Sequence, residues 1–255
     1  MPIELTTGTV ARIRIDRPSR RNALDLAHLG ELAAAFQTVS ADPEVRVVVF
    51  GGVGDNFSAG ADLSEVAALT DQAQARQYFL GVAEVMAAIR EAPKPVVAEV
   101  RGWCLAGALG LVGAADIAYA ADSARFGLPE IGLGLFPMVI SSVLVRQMAW
   151  RTLSEMALTG RTAGAAAMRE AGLLTAVWPE AELVGAVEEV ARTMAGHSAE
   201  ALARGKAALW RMAGRHFSED VQALAAEVAA LAQGAEAKER IAAFLGRTAG
   251  RQEAH

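Results

Sequence analysis

The chain has 255 residues, of which 53% are hydrophobic and 21% are charged, and its formal net charge is −5 at pH 7. This length suits one large or two small domains with a packed core, and the acidic balance gives no basic footprint for nucleic acid or an anionic membrane. No charge-free apolar stretch reaches the ~18 residues of a membrane span and no signal-peptide pattern opens the chain, so we expect a cytoplasmic protein without nucleic-acid or membrane partners.

Strand and helix patterns alternate in the first half of the chain. Residues 45–50 and 95–100 are short apolar runs typical of strands, and residues 10–15 also have a strand pattern. Apolar residues within 26–39 recur on one face of a helix, and a further helical pattern ends near Arg90. This alternation indicates an α/β core.

Two segments of small residues, 57–63 and 103–110, each follow a predicted strand. A strand that ends in small residues exposes backbone N–H groups at the edge of a sheet. Two such loops can form an oxyanion hole, which is a pair of donors for a polarised carbonyl oxygen. Both segments are also compatible with ordinary strand-to-helix turns that need glycine for a positive φ or for close packing. Neither matches a dinucleotide fingerprint or a phosphate-binding loop.

The strand pattern ends near residue 180. Two later segments, 183–194 and 221–231, carry apolar residues at helical spacing. Helical stripes this apolar need a surface to pack against. We therefore expect a helical C-terminal quarter that contacts a partner surface.

Histidine and cysteine suggest no further chemistry. His28, His197, His216 and His255 lack metal-ligand spacing and stand beside no nucleophile motif, so no metal site is expected. Cys104 is the only cysteine, which excludes an internal disulfide. We interpret Cys104 as a small buried hydrophobic residue.

A set of short motifs runs through nearly the whole chain in a fixed order. They occupy residues 16–25, 57–63, 94–98, 102–107, 115–118, 126–134, 157–160 and 239–245. In this order, and in a chain of this length, they resemble the crotonase superfamily, the enoyl-CoA hydratase/isomerase family. Each motif alone is a weak signal, and the set together is a strong one.

The resemblance implies an α/β fold, a crotonase-like spiral of ββα units with a C-terminal helical oligomerisation region. Residues 1–195 would form the spiral core with the CoA site and the active site, and residues 196–255 a helical trimerisation region. It also implies a homotrimer or a hexamer. The implied substrate is an acyl-CoA thioester, with coenzyme A as part of the substrate and no tightly bound cofactor.

Family members hold the thioester carbonyl with two backbone N–H groups, and the resemblance assigns these to Ala59 and Gly107. Removing a proton or adding a nucleophile next to a thioester puts negative charge on its oxygen. Fixed donors aimed at that oxygen contribute about 3–4 kcal/mol each. Backbone donors do not ionise and need no side chain, so small residues suffice.

Hydratases of this family use two glutamates, and this chain retains one of them. Glu130, which follows Pro129, matches the second glutamate, whereas the position of the first falls on Gly110. A single carboxylate suits the removal of a proton from one carbon and its return to another, which shifts an enoyl-CoA double bond from Δ3 to Δ2. Hydration through Glu130 alone remains open as a slower route.

The role of Glu130 has a plainer alternative, since most glutamates are solvated or salt-bridged surface residues. Its apolar neighbours predict a raised pKa, which suits a base. Other reactions through the same enolate also stay open, namely CoA-ester hydrolysis, decarboxylation or C–C cleavage. A non-catalytic acyl-CoA-binding protein is the alternative from another functional class.

The resemblance also implies a coenzyme A site. Arginine suits its phosphates because the guanidinium donates two parallel hydrogen bonds. Asp62 has an alternative role as the cap of the following helix, which we favour over proton transfer. The helical spacing of Phe244 fits an ordinary hydrophobic-core residue equally well. The residues implied at this site are Arg20, Arg21, Ala23, Ala61, Asp62, Leu63 and Phe244.

A second departure from the family lies after Glu130. Relatives have Gly-Ala-Gly-Gly after a proline, whereas this chain has larger residues at 138–142 after Pro137. Proline still suits the first turn of a helix. The larger side chains of Met138 and Val139 are expected to narrow or reshape the acyl site.

Overall fold

Two β-sheets organise residues 3–213, the part of the chain that the computed structural model describes. The strands are β1 (Ile3–Thr6), β2 (Val10–Ile15), β3 (Val47–Gly52), β4 (Val96–Val100), β5 (Trp103–Leu105), β6 (Ile117–Ala121), β7 (Arg125–Gly127), β8 (Thr162–Gly164) and β9 (Ala176–Trp178). The larger sheet has the strand order β1-β2-β3-β4-β6-β9, and the smaller has the order β5-β7-β8. In the larger sheet β1 is antiparallel to β2 and the other pairs are parallel.

Seven α-helices lie between these strands in the described part of the chain, and two more follow the last strand. They are α1 (Leu26–Ala41), α2 (Leu63–Ala68), α3 (Gln72–Glu91), α4 (Gly107–Ala114), α5 (Met138–Gln147), α6 (Trp150–Thr159), α7 (Ala165–Glu170), α8 (Leu183–Ala195) and α9 (Ala199–Met212). Short 3-10 helices span Pro18–Arg20 and Pro129–Leu133. None of the helices within residues 3–213 combines the length and apolarity needed to cross a membrane.

The larger sheet is buried on both faces at its centre. Successive residues of a strand point to opposite faces. Accordingly, Val48 and Phe50 belong to an apolar cluster with α1, α3, α4 and α5, whereas Val47 and Val49 pack against α8. This two-sided burial explains why β3 and β4 are almost continuously apolar, as is typical of central parallel strands.

The chain follows the same path three times. From β4 it enters β5 of the smaller sheet and then α4, and from β6 it enters β7 and then, through the 3-10 helix Pro129–Leu133, α5. The first passage runs from β3 to Ser58, which forms an isolated parallel bridge with Cys104 of β5, and then to α2. Three successive strand–strand–helix units therefore stand side by side, as the predicted spiral requires.

The predicted elements correspond closely to the observed ones. The strand predicted at residues 10–15 has the bounds of β2, and those predicted at 45–50 and 95–100 overlap β3 and β4. The helical pattern that ends near Arg90 is α3, and the stripe at 183–194 lies in α8. The stripe at 221–231 lies outside the described residues.

The chain divides into two compact units, residues 1–196 and 197–255. In the second unit the structure describes α9, whose first turn is capped by the Ser198 hydroxyl, which accepts a hydrogen bond from the Ala201 N–H at 3.3 Å. The trimerisation role assigned to residues 196–255 stays a prediction.

Candidate active site

Three turns meet where the smaller sheet ends. Ser58 bridges to Cys104, and Cys104 pairs in register with Phe126 of β7, so these three residues lie in a row across neighbouring chain segments. The chain leaves each of them in the same direction, because both pairings are parallel. The turns that follow are residues 59–62, 105–107 and 127–130.

Backbone hydrogen bonds hold these turns together. The Leu105 N–H donates to the Ser58 carbonyl at 3.0 Å, and the Ala106 N–H donates to the Gly127 carbonyl at 2.9 Å. Gly60 runs directly against the second turn, since a Cβ placed on it would lie 2.6 Å from the Leu105 carbonyl oxygen. Only glycine allows this approach, and its φ of +85° also favours glycine.

The first loop offers a donor at Ala61 rather than at Ala59. The Ala59 N–H donates to the Arg21 carbonyl at 2.9 Å, so the predicted assignment of Ala59 to the oxyanion hole does not hold. Gly60 and Asp62 each bond Leu24, through the Gly60 carbonyl and the Asp62 N–H, both at 2.8 Å. Ala61 lies between these two bonded residues in a parallel bridge, and the middle residue of such a bridge points its own N–H away from the partner segment. Within residues 3–213, the Ala61 N–H has no acceptor.

The second donor is the Gly107 N–H at the start of α4. It is one of the first N–H groups of a helix, which have no partner inside the helix, and it has no acceptor elsewhere in the described part of the chain. The preceding Ala106 has a φ of 50° and a ψ of −129°, a backbone conformation that alanine rarely adopts. Such strain costs about 1–3 kcal/mol and is often retained at functional sites. Here it orients the Gly107 peptide.

Glu130 lies three residues beyond the Gly127 carbonyl that accepts from Ala106. It is in the first turn of the 3-10 helix that Pro129 begins. Its side chain is partly buried, and its Oε2 atom is buried without a hydrogen-bond partner in the described structure. Burial raises the pKa of Glu130 above the usual 4.5, as the sequence predicted. A carboxylate that is poorly solvated is a stronger base than one in water.

Gly110, where family hydratases have their first glutamate, faces apolar atoms. A Cβ placed on Gly110 would lie 2.3 Å from Cγ2 and 2.6 Å from Cβ of Ile140, and 3.0 Å from Sδ of Met86. A Cβ on Gly107, one helical turn earlier, would have Val82 Cγ1 at 3.8 Å as its nearest neighbour. This side of α4 is therefore lined by apolar residues of α3 and α5.

A partly buried ion-pair network braces the first loop. The Arg17 guanidinium lies 2.8 Å from Asp62 and 3.4 Å from Asp25, and it donates to the Ala23 carbonyl at 3.0 Å. Asp62 caps α2 by accepting from the Ser64 N–H at 3.0 Å, which confirms its predicted capping role. The hydrogen bond from the Ser64 hydroxyl lowers the pKa of Asp62 most, burial opposes it, and Arg17 lowers it further.

Asn22 and Ser58 complete this bracing. The fully buried Asn22 amide donates to the Val53 and Asn56 carbonyls at 3.0 and 2.7 Å and accepts from the Arg17 N–H at 2.9 Å. The Ser58 hydroxyl donates to the Asn22 carbonyl at 2.7 Å and accepts from the Gly60 N–H at 3.0 Å. These contacts fix the segment to which the first loop is bonded.

The residues predicted to hold coenzyme A fall into two groups. Ala23 and Asp62 are buried near Arg17, whereas the Arg20 side chain is 57% exposed and Leu63 is 53% exposed. Arg20 lies 3.9 Å from Asp62 and so stands beside the first loop. Arg21 is exposed and offers its carbonyl to the Ala59 N–H. Phe244 lies outside the described residues.

The bracing role of Arg17, Asn22 and Ser58 was not predicted from the sequence. All three lie inside motifs of the family resemblance, but nothing in their spacing reveals which groups they bond. Tyr78 was missed as well: it is buried in α3, and its hydroxyl donates to the Leu24 carbonyl at 2.6 Å. No sequence pattern signals that contact across 54 residues.

Residues 3–213 contain no group of three His, Cys, Asp or Glu side chains arranged to hold a metal ion. Cys104 is buried, as predicted, and burial raises the pKa of its thiol well above the usual value. His28 is buried and contacts Asp25. Among the described residues, the site combines two backbone N–H groups without acceptors, those of Ala61 and Gly107, with the partly buried carboxylate of Glu130.

The chain is similar to known proteins in both sequence and structure. The profile of the Enoyl-CoA hydratase/isomerase family matches residues 6–251. Enoyl-CoA hydratase domain-containing protein 3 of Danio rerio is 32% identical over 199 residues, which are 78% of this chain and 69% of that protein. An enoyl-CoA hydratase structure from Mycobacterium smegmatis has a TM-score of 0.94 at 29% identity and covers 97% of both chains.

The human enoyl-CoA hydratase domain-containing protein 3 has a similar structure, with a TM-score of 0.93 at 28% identity over 97% of this chain and 98% of that one. The family profile spans the three turns as well as the core that carries them. The close structural matches also establish the fold as the crotonase fold. The chain belongs to the enoyl-CoA hydratase/isomerase family of the crotonase superfamily.

Proposed function

We propose that the protein shifts the carbon–carbon double bond of an enoyl-CoA thioester from Δ3 to Δ2, with Glu130 as the single acid/base. One observation carries this proposal: the partly buried Glu130 carboxylate, with its Oε2 atom unpaired, follows the turn whose Gly127 carbonyl is bonded to Ala106, next to the Gly107 N–H. At Gly110, where a hydratase has its other acid, the chain instead faces Ile140. A single base suits a reaction in which the proton that is removed is later returned.

The reaction begins at C2 of a 3-enoyl-CoA. The Glu130 carboxylate removes a proton from this carbon, and the electron pair of the broken C–H bond moves toward the thioester carbonyl. The resulting dienolate oxygen accepts hydrogen bonds from the Ala61 and Gly107 N–H groups. The protonated Glu130 then returns the proton to C4, which leaves the double bond between C2 and C3. No other reactant is consumed.

The donors account for much of the expected rate enhancement. Loss of one oxyanion donor typically costs about 2.7–4 kcal/mol of transition-state stabilisation, or roughly 10²–10³ in kcat. Acid–base assistance by one positioned group adds roughly 10²–10⁴. Gly107 adds the positive end of the α4 dipole, which favours negative charge on the oxygen.

Hydration of a 2-enoyl-CoA is the second candidate, since the compared relatives are named for hydratases. In that reaction Glu130 would take a proton from water as its oxygen attacks C3, and the same proton would reach C2. The route lacks a second acid and is expected to be slower. Hydrolysis, decarboxylation, C–C cleavage and simple acyl-CoA binding have no such support.

The wider assignments belong to the same proposal. Coenzyme A is bound as part of the substrate, with its phosphates against the exposed Arg20 and Arg21, and no cofactor is held tightly. The protein assembles as a homotrimer or a hexamer and acts in the cytoplasm. The exposure of both arginines supports their availability to an anionic ligand.

A direct assay tests the proposed reaction. Purified protein is incubated with 3-enoyl-CoA, and the absorbance of the conjugated thioester is followed. We expect that absorbance to rise, and to rise at least ~10²-fold more slowly in Glu130→Gln, which keeps the side-chain shape but removes the base. The exposed Glu44→Gln is the matched control. Unchanged turnover in Glu130→Gln would remove the catalytic assignment.

The same absorbance separates the second candidate. Incubation with 2-enoyl-CoA consumes the conjugated thioester if water is added. Faster loss from 2-enoyl-CoA than gain from 3-enoyl-CoA would favour hydration over the double-bond shift. Tight binding of both compounds without turnover would favour the binding protein.

A further inference from the structure

Helices α4 and α5 approach each other through a pair of glycines. Gly110 and Gly113 are one turn apart on α4 and face Ile140 and Leu144, which are one turn apart on α5. A Cβ on Gly113 would lie 3.0 Å from Leu144 Cδ2, and one on Gly110 would lie 2.6 Å from Ile140 Cβ. The absence of side chains at these two positions of α4 is what allows Ile140 to lie against its backbone.

The contact at Gly110 differs from that at Gly113 in one respect. Leu144 meets Gly113 with the far end of a flexible side chain, which can move. Ile140 meets Gly110 with its Cβ, whose position is fixed by the α5 backbone, and with a β-branched methyl that has one preferred rotamer in a helix. No rotation of Ile140 can therefore make room for a side chain at position 110.

We propose that Ile140 is a specificity-determining residue: it fills the space that a side chain at position 110 would need, and so keeps a second carboxylate and its water away from the reacting carbons beside Gly107. The inference rests on the proposed function: Ile140 would be the residue that limits the enzyme to moving a proton within the substrate and prevents the addition of water. Gly110 and Ile140 then form one interdependent pair, so a change of reaction type requires both positions to change.

The local surroundings support this role. Gly107 and Gly110 share the face of α4 that Val82 and Met86 of α3 also line, and none of these neighbours can hydrogen-bond a water molecule strongly. A water needs two to four polar partners to be held in place. Ile140 and Met86, whose side chains lie nearest to position 110, provide none.

Changing both positions would supply the missing acid. A glutamate introduced at position 110, with Ile140 reduced to glycine, would lie one helical turn from the Gly107 N–H. The introduced carboxyl group and Glu130 could then divide the addition of water to a 2-enoyl-CoA. The water oxygen bonds to C3, one carboxylate takes the water proton, and the other carboxyl group gives a proton to C2.

The test is a double-mutant cycle of Gly110→Glu, Ile140→Gly and the two together, read first without substrate. We expect each single change to lower the urea midpoint of unfolding, and the double variant to lose clearly less than the sum of the two. Such coupling is the signature of groups in direct contact. An additive loss would overturn the claim that Ile140 occupies the space of a side chain at position 110.

The second readout is the ratio of hydration to double-bond shift. In Gly110→Glu/Ile140→Gly we expect this ratio to exceed that of the control Gly110→Gln/Ile140→Gly by about 10²-fold or more, because glutamine fills the same space without moving a proton. Equal ratios in the two would overturn the proposal. Gly110→Asp/Ile140→Gly, with Gly110→Asn/Ile140→Gly as its control, repeats the comparison if the glutamate pair does not fold.

The two readouts separate this inference from the function on which it rests. If the unaltered protein does not shift the double bond, the proposed function fails. The hydration rate of the double variant relative to its glutamine control still decides the role of Ile140. If the unaltered protein does shift the bond and the ratio does not change, Ile140 is not the determinant and the proposed function stands.

Discussion

Burial of the Glu130 carboxylate destabilises its ionised form in the folded protein. One of its oxygens is buried without a hydrogen-bond partner, and burial raises its pKa above 4.5. A carboxyl group with a raised folded-state pKa contributes most to stability when protonated, below its unfolded pKa, and that contribution is lost as pH rises through the folded pKa. The property that suits Glu130 to act as a base therefore lowers stability at neutral pH.

Because the ionised Glu130 lowers stability, we can predict how Glu130→Gln changes the unfolding of the protein. The variant cannot ionise, so we expect it to unfold at a higher urea concentration than the unaltered protein at pH 7. The difference should shrink as pH falls and be smallest below pH 4.5, where the carboxyl is protonated in both states. Urea unfolding across this pH range measures it, with Glu44→Gln as the control. A variant that is no more stable at pH 7 would contradict a cost of ionisation at Glu130.

Ala59 and Ala61 show that a sequence motif can identify a donor loop but not which of its backbone N–H groups is available. The motif identifies the loop, and the resemblance assigned the donor to Ala59. Whether an amide is available depends on its partner, and Arg21 accepts the Ala59 N–H while Leu24 pairs on either side of Ala61. Those partners lie far from the loop in the chain, so no local pattern distinguishes the two alanines.

At the scale of the turns, the contact between Gly60 and Leu105 sets how closely the loop that carries Ala61 approaches the turn that precedes Gly107. Gly60→Ala would place a Cβ 2.6 Å from a backbone oxygen that no side-chain movement can relieve. We expect kcat/KM to fall by roughly 10²-fold, because a displacement of about 1 Å at a catalytic group has effects of that size. Steady-state assay of the double-bond shift measures it.

The matched control for that prediction is Gly54→Ala. Gly54 has a φ of +77°, close to the +85° of Gly60, but its added Cβ would meet Pro18 at an ordinary 3.5 Å. Both variants are strained by the positive φ, and only Gly60→Ala separates the turns. Equal activity losses in the two would contradict the role given to the contact.

The loop that carries Ala61 depends on Arg17. In Arg17→Met the nearly buried Asp62 would keep its Ser64 hydrogen bonds but lose its cation at 2.8 Å. Breaking a buried pair costs about 3–5 kcal/mol, and partial exposure of Arg17 reduces the expected loss of unfolding free energy to about 2–3 kcal/mol. Urea denaturation measures the loss.

Arg161→Met provides the comparison, since Arg161 pairs with Glu155 at the same distance of 2.8 Å on the surface. Exposed pairs contribute about 0–1 kcal/mol, so this variant should lose little stability. A loss in Arg17→Met no larger than in Arg161→Met would show that the network does not hold the loop.

Helices and strands could be predicted from the sequence where the spacing of apolar residues within the element itself reveals it. Strand β2 was predicted at its observed bounds because apolar residues at every second position, Ala11, Ile13 and Ile15, are separated by Arg12 and Arg14 and form its buried face within six residues. The three-residue strands β5, β7, β8 and β9 were not predicted, since so short a run carries no period and forms only by pairing with its neighbours. The absence of a carboxylate at position 110 was visible in the sequence, but its cause, the packing of Ile140 from another helix, was not.

At the scale of the whole molecule, the strand–strand–helix unit repeats in the structure but not in the amino-acid sequence. No internal sequence repeat is evident, because each unit fills a different part of the core and ends in a different turn. The first carries Ala61, the second Gly107 and the third Glu130. Hydrogen bonds between the units, from Leu105 to Ser58 and from Ala106 to Gly127, bring the turns that carry these residues together although they are well separated in the chain.

Assembly is the prediction that belongs to this scale. The helical segment that follows Gly196 is expected to associate with further copies of the chain, so light scattering of the purified protein should give the mass of three or six chains. Removal of residues 197–255 should shift that mass toward a single chain. A monomeric full-length protein would contradict the predicted trimerisation region.

The convergence of two amides and one acid on a thioester is tested most directly by a crystal structure with a non-reactive acyl-CoA analogue. We expect the thioester oxygen to lie about 2.7–3.1 Å from the backbone nitrogens of both Ala61 and Gly107, with the Glu130 carboxylate facing C2 and C4 of the acyl chain. A thioester oxygen bound elsewhere, or a Glu130 side chain directed away from those carbons, would contradict the proposed mechanism.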